Sequence, residues 1–174
     1  MKGQYFSFDA VVASVIMVIA VTSLVAYWFG VQSVAESRSS DMYADSLRIA
    51  ESLLSPGSPS NWTAGDLGSM QQIGLEENSS GELNESKITA LENWAYYPNS
   101  TTSPPSNYTA VGNIMRATGD YYIWIQQTDG SINYSIGRQP LSNATEVVIA
   151  HRGAVLDNGS ATIPVRITVY LWRQ

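Results

Sequence analysis

The sequence predicts an α+β chain in which one long N-terminal helix, from about residue 7 to about residue 54, packs on an antiparallel β-sheet head. Three observations predict it. Residues Ala10 to Val31 form an uncharged apolar run, the helical pattern then continues on one side as far as Leu54, and the last third of the chain alternates with period two around two glycine turns.

The apolar run reads AVVASVIMVIAVTSLVAYWFGV, 22 residues without a charge. As a helix it would measure roughly 33 Å, enough to cross a bilayer. Tyr27, Trp28 and Phe29 close it in the manner of an aromatic belt, and Lys2 before it favours a cytoplasmic N-terminus, which puts the rest of the chain outside. A secretory signal cleaved after Ser33-Val34-Ala35, giving a new start at Glu36, fits less well, because the run is longer than the usual apolar core of such signals and carries bulky aromatics.

Beyond the run, Val31, Ala35, Met42, Ile49 and Leu53 share one helical face, flanked by Tyr43, Ala50 and Leu54, while Arg38, Asp41, Asp45, Arg48 and Ser52 face away. Ser55-Pro56-Gly57-Ser58-Pro59 ends the helix. The first half is therefore apolar all round and the second half one-sided. Asp9 stands at the edge of the apolar run, where it complements the helix dipole with Ser7 as cap, or pairs with a cation when buried.

The head begins with a stretch rich in Ser, Thr, Asn, Gly and Pro. It contains one helical candidate, Glu85 to Tyr96, with Ile88, Leu91 and Ala95 at helical spacing and Pro98 as a stop. Residues 99–106 read as an exposed loop. Two hairpins follow: Tyr121–Gln127 and Ser131–Ile136 flank Thr128-Asp129-Gly130, and Glu146–Leu156 and Ser160–Trp172 flank Asp157-Asn158-Gly159. In the last strand Ile163, Val165, Ile167, Val169 and Leu171 point to one face, the predicted core. Four antiparallel strands over the distal half of the helix would bury both apolar faces.

The residues before the apolar run, Lys2-Gly3-Gln4-Tyr5-Phe6-Ser7-Phe8-Asp9, form a short basic leader ending in glycine, then a glutamine and a lone carboxylate. This resembles the class III signal peptides of archaeal type IV pilin-like proteins over about 30 residues. The resemblance implies a leader of residues 1–3, a membrane and filament-core helix of 4–55 and an extracellular head of 56–174. It also implies cleavage by a prepilin peptidase between Gly3 and Gln4 and assembly into a helical homopolymer by a dedicated machinery. Asp9 would set the axial register by pairing with a neighbour's freed N-terminal amine. The family places its acidic residue fifth in the mature chain; here a cut after Gly3 makes Asp9 sixth, and a cut after Gln4 makes it fifth. The segment His151 to Gly159 with the strand after it also looks like the tail of such proteins.

Eight of the ten asparagines begin N-x-Ser/Thr sequons: Asn61, Asn78, Asn84, Asn99, Asn107, Asn133, Asn143 and Asn158. With 34 Ser and Thr among 174 residues, chance supplies about two in ten. All follow Leu54, so N-linked glycans on an exterior head are expected. Nine Lys and Arg against a net charge of -6 argue against a nucleic-acid partner. A chain without cysteine has no disulfide, zinc ribbon or thiol nucleophile. His151, the single histidine, and the dispersed carboxylates Asp66, Glu76, Glu77, Glu82 and Glu85 compose no catalytic or metal constellation, so neither enzyme activity nor a cofactor is expected. The expectation is a structural subunit of a surface filament serving adhesion, membrane-inserted as a precursor. The alternatives are a minor or tip pilin, or a monomeric membrane-anchored extracellular binding module.

Overall fold

A computed structural model describes residues 3–62, 67–77, 80–98, 103–127 and 129–174, with side chains throughout except at 3–7 and 35–39. The chain divides into two compact units, Met1–Ser40 and Asp41–Gln174. Helix α1, Gly3–Leu53, contributes to both. It starts four residues before the predicted position and ends one residue before it.

In the first unit every described side chain from Phe8 to Val34 is exposed, and this 27-residue segment has a mean hydropathy of 2.4. In the second unit the one-sided pattern acquires its meaning. Met42, Ile49, Ala50 and Leu53 are buried in one hydrophobic cluster with the sheet residues Ile123, Ile125, Ile167 and Val169. Ser46 is also fully buried, its hydroxyl donating to the Tyr43 carbonyl at 2.8 Å, which is how a polar residue fits on the apolar seam. Tyr43, placed beside that seam by its helical angle, is half exposed.

The head contains β1 Glu82–Asn84, α2 Glu85–Trp94, α3 Ser106–Met115, β2 Asp120–Gln126, β3 Asn133–Gly137, β4 Glu146–Asp157 and β5 Thr162–Arg173. The sheet order is β1-β4-β5-β2-β3. Both predicted hairpins form: β4 pairs β5 from Glu146↔Arg173 to Asp157↔Thr162, and β2 pairs β3 from Tyr122↔Gly137 to Gln126↔Asn133. Gly130 and Gly159 adopt φ of 78° and 77°, the left-handed backbone that their turns require. The expectation of four antiparallel strands is corrected by β1, which adds to β4 in parallel, with Glu82 opposite Val155 and Asn84 opposite Asp157. The sheet is mixed and five-stranded because residues 75–77 fold back on β1, Glu77 N–H donating to the Glu82 carbonyl at 3.0 Å and Asn84 N–H to the Leu75 carbonyl at 2.8 Å.

The inner sheet face carries the predicted row. Val165, Ile167, Val169 and Leu171 are buried, and only Ile163 at the strand's start is half-buried. α2 covers this face with Ile88 and Leu91, and α3 with Tyr108, Val111 and Met115. Tyr108 and Tyr121 stack at 4.5 Å between ring centres; the Tyr108 hydroxyl donates to Asp120 at 2.9 Å, and the Tyr121 hydroxyl donates to the Tyr108 carbonyl at 2.9 Å. Burial pushes both phenols well above their ordinary range.

Without disulfides, the region after α1 is held by a dense joint of hydrogen bonds. Segments 53–62 and 71–77 run against each other: Leu75 N–H donates to Leu53, Glu76 N–H to Ser55 and Ser58 N–H to Gln72, at 2.9 to 3.0 Å. Trp62 Nε1 donates to the Gly74 carbonyl at 2.9 Å. Lys87, on α2, donates from Nζ to the carbonyls of Pro56 at 3.0 Å, Ser60 at 2.7 Å and Glu76 at 2.8 Å.

Candidate assembly and modification sites

Gly3 and Gln4 open α1. Because the helix begins there, Ser7 lies inside it and Asp9 lies beyond its first turn, which contains no acidic residue. The reading of Ser7 as cap and Asp9 as a dipole-complementing end charge is therefore corrected: the dipole effect fades within the first turn. Asp9 stands exposed at the start of an otherwise uncharged helical surface.

That surface has no polar side. Val15, Ile16, Met17 and Val18 together sweep a full helical turn and are 53%, 61%, 68% and 61% exposed. A helix apolar in every direction needs an apolar surround, since no single neighbour covers it. Three of its hydroxyls are satisfied within the helix. Ser14 donates to the Ala10 carbonyl at 2.7 Å, Thr22 to Val18 at 2.8 Å, and Ser33 to Gly30 at 3.0 Å. Tyr27, Trp28 and Phe29 are the bulky exposed group near its end.

No protein-family model, curated protein or solved structure matches this chain.

The sequons sort into distinct environments. Asn61, Asn107, Asn133 and Asn143 are exposed. Asn61 and Asn143 sit in turns, Asn107 on the first turn of α3, and Asn133 at the start of β3. Asn158 is half-buried at the β4–β5 turn, its Oδ1 accepting from the N–H groups of Ser160 at 3.0 Å and Ala161 at 2.9 Å. Asn78 and Asn99 lie outside the described residues.

Asn84 differs from all of these. It is the N-cap of α2, its Oδ1 accepting from Lys87 N–H at 3.1 Å, while its Nδ2 donates to the Glu77 carboxylate. Both polar atoms of the carboxamide are committed. Asn84→Ala is accordingly expected to lower head stability by about 1 kcal/mol through the lost cap, measured by urea unfolding; no change would mean that the cap is dispensable. Peptide mass spectrometry of native protein should find Asn84 without a glycan.

His151, on the exposed side of β4, shares a 3.1 Å hydrogen bond between Nδ1 and Thr168 Oγ1. Among the described residues, no three His, Asp or Glu side chains gather as metal ligands.

Three constellations escaped the sequence reading. Arg48 does face away from the apolar seam, yet it is used: Nη1 donates to the Met115 carbonyl and Nη2 to the Arg116 carbonyl, each at 2.9 Å, closing the C-terminal end of α3. Lys87, one charge in a polar stretch, proved to be the buried centre of the joint. On the outer sheet face, Tyr122, Trp124, Gln139, Pro140 and Tyr170 line an open groove. The strand alternation placed Tyr170 outward, but bringing it beside Tyr122 depends on the β2–β5 pairing, in which these two are directly opposite.

Proposed function

We propose that the chain is a structural subunit of an archaeal type IV pilus-like surface filament, held in the membrane as a precursor and assembled through its apolar N-terminal helix. The observation that carries this reading is the continuous helix whose segment Phe8–Val34 is apolar and exposed on every side, while residues of 42–53 are buried in the head's own core. A membrane supplies the required apolar surround to a single precursor, and a bundle of identical helices supplies it in a filament. The head, with its accessible sequons, is the exterior, adhesive part. The leader ending at Gly3, and Gln4 after it, provide the processing site.

Electron microscopy of sheared surface filaments, combined with mass spectrometry of the native N-terminus, tests the proposal. Filaments containing this chain with a mature start at Gln4 or Tyr5 are expected. An intact Met1, or a start at Glu36, in native material would overturn it.

Asp9 supplies a second test. A lone carboxylate enclosed by apolar helices is costly unless paired, and a neighbour's N-terminal amine is the suitable partner. Asp9→Ala should leave membrane insertion intact and reduce filament yield on the order of tenfold or more, since the pair fixes axial register. Normal yield would remove the pairing role.

A further inference from the structure

We infer that the outer-face groove of Tyr122, Trp124 and Tyr170 is the bed of a glycan carried by Asn133 of the same chain. The inference rests on the reading of the head as exterior and N-glycosylated.

The geometry begins with one hydrogen bond. Trp124 Nε1 donates to Asn133 Oδ1 at 2.5 Å. An indole N–H can only donate, so the atom facing it is the carboxamide oxygen and not the nitrogen. Oδ1 is thereby committed, while Nδ2, the atom that glycosylation modifies, makes no hydrogen bond among the described residues and belongs to an exposed residue. The arrangement is the reverse of that at Asn84, whose Nδ2 is held by a carboxylate. Asn133 is thus attached, through the groove's own tryptophan, to one end of that groove.

The groove has the chemistry of a sugar site. Trp124 and Tyr170 are half-buried, and Tyr122 is buried at the floor with its ring 5.7 Å from that of Tyr170. Aromatic faces carry negative quadrupole density and attract the polarised C–H groups that line one face of a pyranose ring. Polar groups stand beside the rings to meet hydroxyls: the Tyr122 and Ser135 hydroxyls share a 3.0 Å hydrogen bond, and Gln139 Nε2 donates to the Tyr122 hydroxyl at 3.3 Å. Apolar walls with a few convergent polar groups characterise small-ligand sites in general. A free sugar would bind such an open groove weakly. A glycan tethered at Asn133 is present at high effective concentration and needs no further affinity to occupy it.

Hydroxyl-radical footprinting of native full-length protein, read by mass spectrometry, tests the proposal. Asn133 should be glycosylated, and Trp124 and Tyr170 should oxidise at least about threefold faster in Asn133→Gln than in wild type, the change expected if the tether keeps the groove filled most of the time. Ser135→Ala also abolishes the sequon while leaving the Asn133 to Trp124 bond in place, and it should expose the rings equally. Asn143→Gln should leave them shielded. An occupied Asn133 with unchanged oxidation would overturn the proposal. So would a bare Asn133 on a head glycosylated at Asn61 or Asn143, or exposure of the rings in Asn133→Gln but not in Ser135→Ala. Shielded rings on a protein that forms no filament would overturn the assembly reading and support this one.

Discussion

Gly74→Ala is expected to destabilise the head by about 3 kcal/mol or more, the upper end of what overpacking costs. A Cβ at Gly74 would lie 2.1 Å from the Ser55 carbonyl oxygen and 2.4 Å from Gly57 N. Both are backbone atoms, so no side chain can swing aside and the two segments of the joint would have to separate. Separation also strains the bonds that cross it, including Trp62 Nε1 to the Gly74 carbonyl and Ser52 Oγ to the Ile73 carbonyl at 2.8 Å. Gly57, opposite, adopts φ of 83°, and a Cβ built there would lie 2.9 Å from Gly74 N, so the two backbones approach closely from both sides. The measurement is the urea midpoint of the unit Asp41–Gln174, with Gly68→Ala, whose added Cβ meets nothing within 4 Å, as the control. Equal midpoints for the two variants would show that the joint is not tight.

Lys87→Met should cost a similar amount, about 3 kcal/mol or more, because three carbonyls lose their charged donor at once and a hydrogen bond to a charged group contributes about 1.5–3 kcal/mol. The opposing effect is desolvation. Burial lowers the Lys87 pKa from the ordinary 10.5, with the nearby Glu77 and Glu76 carboxylates opposing that shift. Between the folded and unfolded values the unfolded chain binds more protons, so this group makes the head more stable as pH rises through that window below 10.5. Unfolding of wild type and variant from about pH 8 to about pH 10 separates the two effects: the variant should be less stable throughout and should lack that rise. A variant as stable as wild type would mean that burying the ammonium cancels everything its hydrogen bonds contribute.

The elements legible in the sequence were those with a period or a fixed turn chemistry. Met42, Ile49 and Leu53 announced the buried seam of α1, Ile88 and Leu91 announced α2, and Asp129-Gly130 and Asn158-Gly159 placed both hairpins. α3 was not legible: its cap, Pro105, makes no side-chain hydrogen bond, and its body contains Ser106, Asn107, Thr109 and Gly112. Gly112 is there because the Tyr121 ring would lie 3.1 Å from a Cβ at that position, a demand set by the sheet and not by the helix. The joint of Ser55–Trp62 with Gln71–Glu77 is built of backbone hydrogen bonds, and its apolar anchors, Trp62, Ile73 and Leu75, are too few to mark a period. β1 joins its sheet through three residues, too few to show a pattern. Of the candidate sites, the list of sequons could be read directly. Their division into free and committed carboxamides could not, because it depends on which atom of each carboxamide Trp124 and Glu77 engage, and that is set by the folded turns between them.

The hydroxyls of Ser14, Thr22 and Ser33, each bonded to a carbonyl three or four residues earlier, bear on how such a helix changes its surroundings. Each hydroxyl takes its hydrogen-bond partner with it. For these three side chains, moving the segment from hydrocarbon to a packed bundle of its own kind would then break no polar contact. The preference between the two settings then falls to packing and to the polar groups that bring no such partner along, the Ser23 hydroxyl and the Asp9 carboxylate among them.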